Sequence, residues 1–152
     1  MLNRRQLLIA GAAVALIPAA ARADAPAIHV LKDRNCGCCG DWIKVLERDG
    51  FTVTSENSSG TALARFKIEG GIPARMTSCH TGAIDGYLIE GHVPPADIRR
   101  LLSQRPDAVG LAVPGMPYGS PGMGPESERE AYDVLLIRRD GSAEVFARYD
   151  AA

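Results

Sequence analysis

Three of the chain's four cysteines fall within four residues, Cys36-Gly37-Cys38-Cys39, between a short apolar run and a stretch of helical periodicity. Thiols so placed stand where a strand hands over to a helix, and the reading of the flanking segments starts from that junction. The chemistry stays open at this point between redox exchange, metal binding and structural cross-linking. The fourth thiol, Cys79, is followed at once by His80.

Hydrophobic spacing gives the rest of the outline. Ala27 to Lys32 reads as a first strand, with Ile28 and Val30 on one face. Gly40 to Asp49 predicts a helix with Trp42, Ile43, Val45 and Leu46 on one stripe, stopped at Gly50. Phe51 to Ser55 predicts a second strand, and Ser55 to Gly60 a polar break. A helix with Leu63 and Phe66 inward follows, ended by Gly70-Gly71 and Pro73. Met76 to Ile84 and Tyr87 to Ile89 flank Asp85-Gly86, a strong hairpin signal. Pro94-Pro95 opens a third helix carrying Ile98, Leu101 and Leu102, with Pro106 as its stop. Tyr132 to Arg138 and Ala143 to Tyr149 flank Asp140-Gly141 as a second hairpin.

The order β-α-β-α-β-β-α-β-β predicts an α/β domain: a thioredoxin-like open sheet with flanking helices and an extra C-terminal β-hairpin. Either hairpin suits the antiparallel pair of that core, and the one at Asp85-Gly86 is favoured because a helix follows it. Residues 113–125 hold four prolines, four glycines and two methionines, so they predict a long irregular loop, a kind often functional in small domains.

The amino terminus reads as an export signal over residues 1–23, with 24–152 as a single domain. Arg4-Arg5 is basic, Leu7 to Leu16 is apolar but too short to span a bilayer, and Ala21-Arg22-Ala23 offers a small-x-small cleavage pattern. Asn3-Arg4-Arg5-Gln6-Leu7-Leu8 is similar to a twin-arginine signal. Without Arg4, Arg5 and Arg22 the 17 basic residues fall to 14 against 18 acidic ones. That acidic balance argues against a nucleic-acid partner, because phosphate binding needs a basic face. No membrane span is expected after Ala23, and the expected location is the periplasm, where free thiols oxidise unless a metal or reductant holds them.

Cys36 and Cys39 have the spacing that puts two thiols on one helical turn, where the helix dipole favours thiolate. A dithiol exchange enzyme needs no third thiol, whereas Cys38 is an extra donor for a metal. Cys79 is expected to meet the cluster in space, and His92, at a strand end, is a candidate imidazole ligand. His80 is expected to point away, since neighbours on a strand face oppositely. His29 alternates with the core positions of the first strand and is assigned a structural role, and Met76 is assigned to the core. Met116 and Met123 lie in matched Pro/Gly settings with little core to fill. Thiolates and thioethers together select Cu(I), whereas zinc would leave the methionines unexplained.

The chain resembles the exported CopG-type copper-resistance family, on Cys36-Gly37-Cys38-Cys39 with Trp42, Ser78-Cys79-His80-Thr81, Gly86-Tyr87, Glu90-Gly91-His92-Val93-Pro94, and 110–117 running to Gly119-Ser120-Pro121-Gly122-Met123. The resemblance implies a thioredoxin-like fold that binds copper through the cysteine cluster, among other periplasmic copper-handling proteins. It leaves open whether copper is stored, relayed or cycled between oxidation states. The expected ligand set is Cys36, Cys38, Cys39, Cys79, His92, Met116 and Met123. The alternative is a periplasmic thiol-disulfide oxidoreductase using Cys36 and Cys39.

Overall fold

The computed structural model describes residues 25–152, so the export signal expected at 1–23 lies outside the described residues. Strand β1 (Ala27–Asp33) leads into helix α1 (Gly37–Arg48), then β2 (Thr52–Ser58) and α2 (Gly60–Glu69). A 3-10 turn (Ala74–Met76) precedes the hairpin of β3 (His80–Ile84) and β4 (Tyr87–Glu90), and α3 (Pro95–Gln104) follows. Strands β5 (Gly110–Ala112), β6 (Tyr132–Ile137) and β7 (Ala143–Tyr149) complete the chain.

The seven strands among the described residues form one open sheet in the order β2-β1-β3-β4-β5-β6-β7. β1 and β2 are parallel, while β3 runs antiparallel to both β1 and β4. With α1 and α2 as crossovers and α3 after β4, this is the thioredoxin-like arrangement, and the Asp85-Gly86 hairpin supplies its antiparallel pair. The hairpin β6–β7 is the extra element. It joins the core through β5, parallel to β4 and antiparallel to β6, a strand the periodicity did not predict because only three residues pair.

Further boundaries differ from the sequence expectation, beginning with α1, which starts at Gly37 rather than Gly40 and so takes Cys38 and Cys39 into its first turn. β2 runs on to Ser58 through the expected polar break, because its Glu56, Asn57 and Ser58 pair with Leu31, Lys32 and Asp33 at the sheet edge, where one face is solvated. Residues Met76 to Cys79 precede the hairpin as a 3-10 turn and bend rather than as strand.

Ile28, Val30, Ile89 and Leu111 of the sheet meet Trp42 and Leu46 of α1 and Ile98 and Leu101 of α3 in the main core. Leu88, Ala112 and Ile137 form a smaller cluster on the opposite face with Ile72 and Met76. Trp42 is the largest fully buried side chain among the described residues, its burial worth roughly 3 kcal/mol.

Gly110 is where β5 comes closest to β4. A Cβ there would stand 1.7 Å from the Leu88 carbonyl oxygen, a backbone atom that cannot swing aside. Gly110→Ala is therefore expected to cost about 3 kcal/mol, the upper range for overpacking, and urea denaturation of the variant checks it.

Candidate metal centre

α1 begins where β1 ends, so the cysteine run lies at one end of the sheet. Cys36 takes the N-cap position with no side-chain cap, and Cys38 and Cys39 occupy the first turn. No acidic residue shares that turn, so the positive end of the helix dipole lies at the cysteine run without a carboxylate to offset it.

Cys79 reaches the same place from mid-chain. Its sulfur lies 3.5 Å from Cys39 Sγ and 3.8 Å from Cys38 Sγ, while Cys38 Sγ is 3.5 Å from Cys36 Sγ. The ligand atoms of all four cysteines fall within 4.8 Å of one another. Cys36 and Cys39 are joined as a disulfide, and Cys38 and Cys79 are free thiols.

Two imidazoles complete the surroundings. His92 Nε2 stands 3.6 Å from Cys79 Sγ, and its Nδ1 donates to the Pro121 carbonyl at 2.8 Å. That bond assigns the proton to Nδ1 and leaves the Nε2 lone pair facing the sulfur, the form a metal ligand takes. His80 corrects the sequence expectation. Its Nδ1 lies 3.4 Å from Cys79 Sγ, so both side chains face the site. Alternation does not apply, because Cys79 sits in a bend and the strand begins only at His80. His80 is wedged between Trp42, 4.4 Å between ring centroids, and His92, 5.0 Å edge-on. Its Nε2 is buried with no hydrogen-bond partner among the described residues. Cys79, His80 and His92 thus make a second donor group sharing one sulfur with the first.

Protonation suits a metal. Burial, then the neighbouring His92 and Lys67, hold His80 down at about 3, and burial also lowers His92, so both rings are neutral donors near pH 7. Burial and the Cys38 charge push the Cys79 thiol up to about 11. Without an ion it stays protonated; a cation beside it would favour thiolate, so binding expels a proton.

The remaining sequence candidates lie in the 113–125 loop, which folds against this end of the molecule. Ser78 Oγ donates to the Gly115 carbonyl at 2.7 Å, and Pro121 holds His92 as described. Gly122 seats the loop on α1: its φ is +83°, and a Cβ would stand 2.5 Å from the Trp42 backbone nitrogen. On the loop's side these anchoring contacts run through backbone atoms. Met116 is exposed, at 54 %, and Met123 half-buried. His29 is exposed, and its Nδ1 bonds Thr54 Oγ1 at 2.9 Å. On the other side, a cleft of about 440 Å³ between α2 and residues 72–79 reaches Cys79, walled by Leu63, Ala64, Ile68 and Ile72.

Comparison with known proteins agrees with the fold. The family described as "Protein of unknown function, DUF411" matches residues 76–123, and no curated protein matches the chain. Two solved structures of copper resistance protein CopG match nearly throughout. Form 1 is 51 % identical with a TM-score of 0.77, covering 82 % of this chain and 98 % of its own. Form 2 is 50 % identical with a TM-score of 0.75 over the same shares. The chain belongs to the CopG family. Within that family's fold, the four cysteines and two histidines are the groups this chain gathers at one point, and their donor set could hold a soft metal ion.

Proposed function

We propose that this CopG-family chain is an exported copper-binding protein that takes Cu(I) on Cys36, Cys38, Cys39 and Cys79. The observation carrying the reading is the four sulfurs within 4.8 Å of one another, contributed by segments at least 40 residues apart. Thiolates are soft donors that favour Cu(I), and several in contact can bridge more than one ion. His92 adds an imidazole, His80 a second, and Met116 or Met123 a thioether from the loop. Reduction of the Cys36–Cys39 bond is required before all four sulfurs can bind. Conversely, forming that disulfide releases two electrons and two protons, enough to take two Cu(II) to Cu(I).

Metal content after anaerobic, reducing purification tests this, with Cys38→Ser alongside. Copper bound to the native chain and depleted in Cys38→Ser is the expected result. No bound copper, or indifference to losing Cys38, would overturn it.

The disulfide itself favours a second reading, thiol-disulfide exchange with Cys36 as nucleophile and Cys39 as resolving thiol. That reading requires insulin-reduction turnover that survives Cys79→Ser.

Export is part of the proposal. Protein recovered from a bacterial periplasm is expected to begin at Asp24, and replacing Arg4 and Arg5 together by lysine to leave uncleaved precursor inside the cell. Normal export of that double variant would remove the twin-arginine assignment.

A further inference from the structure

Beneath the thiols lies a buried charge that no donor group accounts for. Glu90 closes β4 and is fully buried, with Lys67 of α2 at 5 % exposure against it. A fold seeking stability alone gains as much from apolar residues at such positions, since desolvating two charges consumes most of their attraction. Leu88, on the same face of β4, is apolar.

The partners of the carboxylate say what else it does. Oε1 accepts from Lys67 Nζ and from the Ser78 backbone N–H; Oε2 accepts from Thr81 Oγ1 at 2.6 Å. Lys67 Nζ also donates to Thr81 Oγ1 at 2.8 Å. Ser78 and Thr81 are the residues immediately before Cys79 and after His80. Glu90's own backbone continues the tie: its carbonyl accepts from Val113 N–H at 3.0 Å, where the 113–125 loop begins, and Gly91 N–H donates to the His80 carbonyl at 3.1 Å. Cys79 itself sits in a bend outside any strand, with no ladder to hold it.

We infer that Glu90 is a positioning residue of the metal centre, its carboxylate fixing both ends of the Cys79-His80 dipeptide so that the shared sulfur and the buried imidazole meet the Cys36–Cys39 turn. The inference rests on the copper-binding reading above. Lys67 compensates the carboxylate's charge and ties α2 to the same point. Sites of this kind need their ligand atoms held to about 0.5 Å, which a bend supplies only when anchored.

The test is a competition titration of reduced protein with Cu(I) against a chromophoric chelator, anaerobically and well below the unfolding temperature. Glu90→Gln keeps the volume but offers one acceptor oxygen and a donor amide, so at least one tie is lost. Copper affinity is expected to fall about 10–100-fold, the usual effect of losing a partner that orients a ligand. Glu90→Gln/Lys67→Met removes both buried charges, preserves folding if the single variant loses it, and is expected to show the same loss. Leu101→Ala, a core truncation on α3, lowers stability without touching these ties and is expected to keep native affinity. Native affinity in both Glu90 variants, or an equal loss in Leu101→Ala, would overturn the inference and leave copper binding intact. A native chain that takes no copper would overturn the functional reading, and this inference with it.

Discussion

Cys79→Ser is expected to abolish tight copper binding while leaving the fold in place. Cys79 is the one residue common to the two donor groups, so its loss breaks the thiolate set and detaches the imidazoles from it. The effect should exceed the roughly 10–100-fold that orienting partners are worth, because a ligand atom itself is removed. Serine is close in size, and the side chain is only half-buried, so the unfolding midpoint should move little. Copper titration beside thermal unfolding separates the two effects. The same variant also separates the rival readings: dithiol exchange through Cys36 and Cys39 would continue without Cys79, and copper binding would not.

Gly122→Ala is expected to weaken copper binding about tenfold through the loop rather than through any ligand, by loosening the partner that orients His92. The added methyl meets Trp42 N at 2.5 Å and Trp42 Cα at 2.9 Å, both backbone atoms of α1, and the positive φ adds about 1–2 kcal/mol for an L residue. The loop must lift. Pro121 is the neighbouring residue, so the bond from its carbonyl to His92 Nδ1 goes with it, and the imidazole loses its fixed tautomer. A stability loss of about 1–3 kcal/mol should accompany the change. If denaturation shows that loss while affinity stays native, the loop is a structural cover only.

Much of this architecture could be read before any coordinates. Helical periodicity marked α1 and α3, Gly70-Gly71 and Pro73 bounded the weakly amphipathic α2, and turn residues marked both hairpins. Cys79 was legible as a partner of the Cys36–Cys39 run because a thioredoxin-like chain path returns past the first helix at that point. β5 escaped notice because three residues carry no measurable alternation, and its pairing depends on neighbours distant in sequence. Strand alternation misplaces His80 because the strand begins only at that residue and Cys79 before it lies in a bend. The buried Lys67 was present as a signal, spaced i+4 from Leu63 on the inward stripe of α2, but burial of a lysine makes sense only once Glu90 is opposite it. The disulfide between Cys36 and Cys39 was one of several pairings the spacing allowed. Pro121's hold on His92 joins residues 29 apart through a backbone carbonyl, and no residue type signals such a contact.

Copper-edge X-ray absorption on reduced protein loaded anaerobically with Cu(I) tests the central claim most directly. A shell dominated by sulfur, losing sulfur in Cys79→Ser, is the predicted result. A shell of nitrogen and oxygen alone, or a sulfur shell unchanged by removing Cys79, would contradict a copper site built by bringing that thiol to the Cys36–Cys39 turn.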